Sequence, residues 1–516
     1  MEQILAWVEK VNSAINSVVW GWPMIILILG TGILLTIRTK VLQVRKFGAS
    51  WNETIIPTIK SVGKPKKQSA SDEKTISPFE AFATAISGTV GTGNIIGVTS
   101  AIMTGGPGAV FWMWVSAFFG MVTNYSENVL GMYFRKKGSD GEFSGGPMQY
   151  LSEGIGRNTT GKFGSFLKGF GKVLGVMAAI FCMLAAVGMS GAQTNKMSGT
   201  FQSVFASADK QTVALIVGIV IAIMLTLILL GGIKSIGRVS SILVPFMSLL
   251  FMIMLLVIIF CNFTEIGNAF SLIFSNMFSF KATVSGIGGY AFAQIIQKGL
   301  ARGVFSNEAG LGSSVIAHSA SQTREPVKQG FWGIFEVFFD TFIICTLTAL
   351  VVLVTFGKNE EILYGGGHID TQVSMMAFQE VFGTFGTVVY AMIVPLFAFT
   401  TIVAWSYYGE KCVGFLFRKT GAKGEKIATV VFKVAYILLV VVSALINGEL
   451  AWAISDTFNG LMALPNLIGL VIMSGLVAKI TKNYLDRKAG KDVKPMLSAY
   501  EEQNEKFIEE NKNEAV

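Results

Sequence analysis

Charge is scarce in this chain of 516 residues. Asp, Glu, Lys and Arg together make up 14% of it, against about 25% in an ordinary soluble domain. Set beside 52% hydrophobic residues and a mean hydropathy of +0.58, that shortage excludes a soluble all-helical protein, which would need an implausibly large core. Cysteine is scarce too. Cys182, Cys261, Cys345 and Cys412 lie in or at the ends of apolar stretches and form no CxxC pair, so they read as packing residues and not as a disulfide frame or metal cluster. Two histidines, His318 and His368, cannot build a metal centre by themselves. The sequence lacks GxxxxGK[ST], which excludes an ATP-driven pump. It also lacks DDxxD, HExxH and GxSxG among its apolar stretches and has no filter-like repeat, which argues against a membrane-embedded enzyme or a channel. The opening MEQILAWVEK carries acids and no basic run, so no cleavable signal peptide is expected.

What the chain has in abundance is apolar runs of about 20 residues, a bilayer's worth. They fall near 18–37, 77–104, 107–134, 170–200, 211–231, 237–262, 284–318, 327–357, 384–410, 427–447 and 450–480. Eleven transmembrane helices in an all-α membrane protein are therefore expected. Basic residues set the orientation. With the amino terminus outside and the carboxyl terminus in the cytoplasm, 34 of the 41 Lys and Arg fall in inside regions, including 38–76, 135–172 and 302–328. The net charge of +9 is then a topology signal, and no nucleic-acid partner is needed to explain it. The expected location is a bacterial plasma membrane.

Two of the apolar segments are interrupted by glycine. SGTVGTGNIIG (Ser87–Gly97) breaks the second, and KGLARGVFSNEAGLGSS (Lys298–Ser314) breaks the seventh. They head two sets of five segments, and because five is odd the second set must run upside down. The predicted units are an extra helix with a basic loop (1–76), a first five-helix repeat (77–263), an inverted second repeat (264–481) and a charged cytoplasmic tail (482–516). Broken helices at matching positions of inverted halves are the pattern of a secondary-transporter binding site. Unwound backbone is tolerated at membrane depth only where it lines a cavity or is buried in protein. There the half-helix N-termini suit a carboxylate and the freed carbonyls suit a hard cation such as Na⁺. Gly88, Gly91, Gly93 and Gly97 allow close approach, and Thr89, Thr92 and Asn94 add hydrogen-bonding groups. Gly93 and Gly97 also fit a GxxxG helix-packing pair, which is the competing explanation for that run.

SPFEAFATAISGTVGTGNIIGV (Ser77–Val98), TGGPGAVFWMW (Thr104–Trp114), GEFSGGPMQYL (Gly141–Leu151) and GVFSNEAGLGSS (Gly303–Ser314) resemble the alanine/glycine:cation symporter family over nearly the whole chain. The resemblance implies a leucine-transporter-type five-plus-five inverted repeat preceded by one extra helix. It also implies sodium-driven uptake of alanine or glycine, with Na⁺ as coupling ion, no further cofactor, and no obligate protein partner. Carried over by motif, the substrate site comprises Thr89, Gly91, Thr92 and Gly93, with Gln193, Phe305, Thr401 and Trp405. The break would hold the carboxylate, Gln193 would meet the ammonium, and Phe305 and Trp405 would wall off space beyond a methyl group. The implied Na⁺ site comprises backbone carbonyls of Gly88, Val90 and Gly91 with the hydroxyls of Thr400 and Thr401. Those hydroxyls could instead bond back to their own helix.

Acids inside membrane segments are functional candidates by default. Glu127, Glu308, Glu336 and Asp340 qualify, as cation or proton relays or as structural pairs. Arg302 with Glu308 is the candidate cytoplasmic gate. A proton-coupled or exchange-type carrier of the same fold is the alternative to sodium coupling.

Overall fold

The computed structural model describes residues 2–61, 75–138, 141–205, 207–278, 288–365, 367–446 and 448–514. The polar stretch Gly63–Lys74, expected to be a cytoplasmic insertion without effect on transport, lies outside the described residues. Four helices precede the one that runs into the first break: α1 (Glu2–Val19), α2 (Trp22–Arg38), α3 (Leu42–Arg45) and α4 (Phe47–Ser61). Then come α5 (Pro78–Thr89), α6 (Val98–Gly105), α7 (Ala109–Phe134), α8 (Pro147–Gly154), α9 (Gly161–Val204), α10 (Lys210–Leu229) and α11 (Gly232–Cys261). A two-stranded hairpin, Lys136–Lys137 against Phe143–Ser144, follows α7. The remainder comprises α12 (Ile266–Ser275), α13 (Gly288–Asn307), α14 (Ser314–His318), α15 (Pro326–Val337), α16 (Thr346–Phe356), α17 (Asp370–Phe417), α18 (Gly421–Leu445), α19 (Gly448–Lys488) and α20 (Glu501–Glu514).

Where their residues are described, the eleven apolar segments fall on one of these helices or on a broken pair. By length and apolarity alone, seven helical stretches among the described residues qualify to cross a membrane, or eight if the bent pair α5–α6 counts as one span. Polar residues and a merged pair of helices bear on that number. α7 carries Asn124, Glu127 and Asn128, and α13 carries Lys298 and Arg302, which lower their hydropathy although both helices pack inside the protein. The stretch 370–445 counts once, yet a turn at Arg418–Gly421, with Gly421 at φ +81°, divides it into α17 and α18. Large apolar side chains such as Leu227, Leu230, Phe246 and Val431 remain exposed. That is the surface expected where lipid replaces water as solvent, because burial against other helices is then not needed to remove it from water.

Local signals explain where the breaks fall. α5 starts on a reciprocal cap: Ser77 Oγ accepts from Glu80 N at 3.2 Å, and Glu80 Oε2 accepts from Ser77 N at 2.8 Å. It stops because Val90 is extended (φ −81°, ψ 93°), and the chain resumes through a π-helical turn, Gly93–Gly97, bent 51° from α5. The second break lies between α13 and α14, where Glu308, Gly310 and Gly312 all take positive φ. Gly310 (+92°) and Gly312 (+78°) leave no space for a side chain either, since a Cβ would lie 3.1 Å from Leu467 Cδ2 and 2.3 Å from Pro147 Cγ. A further π-helical turn, Phe338–Cys345, joins α15 to α16.

The tail differs from expectation. Beyond Lys482 the sequence shows no apolar periodicity and reads as partly disordered. The structure instead folds it back onto the hairpin and the loop after α14. Phe507 packs on Phe143 and Leu497, Arg324 Nε pairs with Glu510 Oε2 at 2.9 Å, and Ala499 N donates to Tyr133 O at 2.8 Å. One aromatic anchor and main-chain bonds suffice, and neither leaves a periodic signature. Replacing Phe507→Ala should free this strap. Trypsin cleavage at Lys491 is expected to accelerate by roughly tenfold or more, since losing a buried Phe costs about 3 kcal/mol; an unchanged rate would refute the docking.

Candidate functional site

The first break lies directly against α17. A Cβ on Gly88 would stand 2.8 Å from Tyr408 Oη, and one on Gly91 would stand 2.7 Å from Thr401 Oγ1. Rising numbers in the break thus meet falling numbers in α17, so the two run antiparallel with bare backbone facing hydroxyls. α9 supplies the third wall: Gln193 Nε2 lies 3.3 Å from the same Gly91 Cβ position, and Thr92 Oγ1 donates to Gln193 Oε1 at 2.9 Å. Thr89, Thr92, Gln193, Thr401 and Trp405 are all buried. Phe305, one turn before the second break, covers Gly93 at 3.5 Å from its Cβ position and stacks on Trp452 with ring centroids 5.2 Å apart.

Asn94 ties the two breaks together. Its Oδ1 accepts from Gly91 N at 3.0 Å, which holds the unwound strand open. Its Nδ2 donates to Ser306 Oγ at 2.9 Å and to Asp340 Oδ1 at 2.6 Å. Asp340 Oδ2 accepts from Ser306 Oγ and from Thr341 Oγ1, each at 2.8 Å. Asn94 and Asp340 lie in the two π-helical turns described above, where one extra residue per turn swings a side chain out of helical register.

A model of the sodium:alanine symporter family matches residues 5–498. The chain belongs to that family. Within it, the sodium/alanine symporter AgcS of Methanococcus maripaludis is 40% identical over 92% of this chain and 97% of its own. Two solved structures share the fold. MhsT in complex with L-phenylalanine aligns with a TM-score of 0.53 at 13% identity, over 80% of this chain and 99% of that one. A substrate-bound, outward-open Na⁺-coupled sialic acid symporter aligns with a TM-score of 0.51 at 13% identity, over 93% and 94%. This sodium:alanine symporter family member is therefore a multi-pass membrane transporter, mostly helical, with the leucine-transporter type of fold.

Against that frame the residues singled out from sequence divide. Thr92, Gly91, Gln193 and Thr401 converge on one point, and Phe305 lies over Gly93. Thr89 is at the last turn of α5, its hydroxyl 3.3 Å from Ile86 O. Thr400 and Thr401 both donate to the Phe397 carbonyl at 3.0 Å. Their side chains diverge: Thr401 faces Gly91, while Thr400 lies 3.7 Å from Met247 Sδ on α11. Trp405, one turn beyond Thr401, donates its indole N–H to Glu308 Oε1 at 3.1 Å, and Ser313 Oγ donates to the other oxygen of the same carboxylate.

The candidate gate pair is corrected. Glu308 is engaged by Trp405 and Ser313, not by Arg302. Arg302 instead lines a cavity of about 580 Å³ together with His368, Asp370 and Gly448. Those residues flank α16, α17 and α19 on the face that the basic-residue count assigns to the outside. Arg302 thus groups with those residues and not with the stretch that follows the break. The break at Glu308 follows Arg302 in the chain, so Arg302 stays on α13 with the residues before the break.

The sequence also left one cluster unassembled. Asn94 and Asp340 stood out individually, but Ser306 did not, and nothing in the spacing joined them. An Asp inside FFDTFIIC was visible; a π-helical turn has no such signature.

Proposed function

We propose that this family member is a Na⁺-coupled importer of small neutral amino acids, alanine and glycine, working by alternating access. The observation that carries the reading is the bare backbone at Gly88–Gly93 facing the Thr401 hydroxyl and the Gln193 amide. An amino-acid carboxylate at the N-terminal end of the Gly93 turn would meet free N–H groups and partial positive charge. Phe305 over Gly93 limits what can lie behind it, so side chains longer than a methyl group are expected to be rejected by contact. For the cation, carbonyls of Gly88, Val90 and Gly91 with the Thr401 hydroxyl give oxygen-only ligation of the kind Na⁺ takes, and Thr400, turned towards Met247, would have to rotate to join them. A threonine that donates its proton to Phe397 O keeps its lone pairs for a cation. The fuller architecture goes with this reading: eleven crossings, two inverted five-helix repeats, the amino terminus outside and the carboxyl terminus in the cytoplasm.

Uptake of labelled alanine into proteoliposomes tests it. Replacing external Na⁺ by K⁺ or choline should abolish uptake, and persistence in choline would overturn sodium coupling. Thr401→Ala should raise the Na⁺ concentration for half-maximal uptake by about tenfold, the equivalent of about 1.4 kcal/mol, whereas Thr401→Ser should stay within about threefold. Equal effects of the two substitutions would remove the hydroxyl from the cation site.

Asp340 favours a second reading, proton coupling in the same fold. It is a buried carboxylate at the junction of the breaks, and the bonds described for it come from neutral donors. Under that reading uptake persists in choline and responds to an imposed pH gradient.

A further inference from the structure

The charged tail is seated among cations. Helix α20 carries six Glu and two Lys, and the chain around it meets Arg135, Lys136, Arg157 and Arg324. Phe507 is the anchor. It is 2% exposed, and the guanidiniums of Arg324 and Arg135 lie 4.7 and 5.7 Å from its ring centroid. Both also lie over Phe143, at 5.5 and 4.3 Å. Glu510 pairs with Arg324, Lys136 Nζ lies 4.7 Å over the Tyr500 ring, and Arg157 Nη2 donates to Ala499 O at 2.7 Å. Cations gain most from aromatic faces where water is kept out.

What this seat touches matters more than how it is built. Arg135 is fully buried. Its Nη1 donates to Ser319 O at 3.1 Å and to Ser321 O at 2.5 Å, and its Nη2 donates to Thr323 O at 2.6 Å. The same loop holds the start of α5: Ile76 N donates to Ala320 O at 3.3 Å, and Gln322 N donates to Ile76 O at 2.8 Å. Ile76 directly precedes Ser77, the cap of α5, and the other end of α5 is the first break. Beyond that break, α6 ends with Met103 and Thr104 in the cavity that Arg302 lines. The tail thus sits at one end of the broken helix and the cavity at the other. An unbroken series of contacts runs from the Phe507 ring through the Arg135 guanidinium and the loop carbonyls to α5. A guanidinium binds carbonyls strongly only while water is excluded, so undocking Phe507 wets Arg135 and loosens the loop.

We propose that the seat formed by Arg135, Phe143 and Arg324 is a docking site for the aromatic and acidic tail, and that docking latches α5 to the loop after α14. While the tail is docked, the passage on this face stays shut; undocking frees the start of α5 and lets the passage open. The inference rests on the reading of the protein as an alternating-access carrier with its carboxyl terminus in the cytoplasm, and adds a controlled step to it. The tail is suited to come and go, since no helix or strand runs between Lys491 and Tyr500 and one ring supplies the anchor.

Hydrogen exchange of the full-length protein in nanodiscs, together with alanine uptake into proteoliposomes, tests this. Phe507→Ala should speed exchange of the Ile76 and Gln322 amides by at least about tenfold. The Asn262 amide, bonded to Ile258 O at the far end of α11, should keep its wild-type rate. Glu510→Gln, which leaves the anchor in place, should act in the same direction by about threefold. A peptide of residues 495–516 added to the Phe507→Ala protein should restore protection, and the Phe507→Ala version of that peptide should not. Maximal uptake by Phe507→Ala should rise by about threefold or more, because opening steps commonly limit turnover. A freed tail with unchanged exchange at Ile76 overturns the proposal. So do faster exchange that extends equally to Asn262, a peptide that restores nothing, and uptake that stays at the wild-type rate. Each of these leaves the transport reading intact. A wild type that takes up no alanine overturns both.

Discussion

Gly91→Ala should lower the rate of alanine uptake by at least about a hundredfold. The added methyl would stand 2.7 Å from Thr401 Oγ1 and 3.3 Å from Gln193 Nε2. Neither neighbour can yield cheaply. Thr401 is held to Phe397 O at 3.0 Å on a buried face of α17, and Gln193 is bonded to Thr92 at 2.9 Å. The methyl therefore forces apart the unwound strand and the two helices that face it. Displacements of about 1 Å at a reacting or binding geometry cost on the order of a hundredfold. Gly97→Ala is the matched control. Gly97 lies in the π-helical turn at φ −64° with nothing within 4 Å of a new Cβ, and uptake should stay within about twofold. If both variants transport alike, close backbone approach at Gly91 is not part of the site. If Gly97→Ala is the damaging one, the run is a GxxxG packing surface instead.

Asp340→Ala is the second large expected effect. It leaves Asn94 Nδ2, Ser306 Oγ and Thr341 Oγ1 without their shared acceptor in a buried position, where each unmade bond to a charged group costs about 1.5–3 kcal/mol. Because Asn94 also holds Gly91 N, the loss passes from the second break to the first. Uptake should fall by more than about a hundredfold, with a clear drop in thermal midpoint. Asp340→Asn separates charge from shape. The amide fills the same space but presents N–H groups to donors, so the protein should fold while uptake falls by roughly tenfold or more. Wild-type uptake by Asp340→Asn would show that the negative charge is dispensable. Loss of a pH-gradient response in that variant, with sodium dependence absent throughout, would favour proton coupling.

Much of the site was legible because its signals are local. Glycine at Gly88, Gly91 and Gly93 within an apolar run has few explanations, and the matching interruption at Gly303–Ser314 narrows them. Ser77, Pro78 and Glu80 announce the start of α5 by chemistry confined to four residues. Other elements depend on partners far along the chain. The Asn94–Asp340 contact spans 246 residues, and the register shift that permits it arises in π-helical turns that carry no composition of their own. Trp405 read as a wall of the substrate site, yet its indole N–H is committed to Glu308. The direction of one polar atom on a ring depends on packing and not on periodicity. Arg302 was grouped with the stretch after the break because sequence marks a broken segment as one apolar run and does not say to which side of the break a residue packs.

The amino-acid sequence by itself determined that the chain lives in a membrane, where its spans and interruptions fall, and which family it joins. Hydropathy and glycine placement act over single helices, and membrane insertion reads the same short-range properties. Only the tertiary structure decided which hydroxyl faces which bare backbone, that Asp340 joins the two breaks, and that Arg302 lines a cavity with Lys196 and Asp370 instead of pairing with Glu308. Those outcomes depend on the rotation and tilt of helices hundreds of residues apart, set by packing that no single segment encodes.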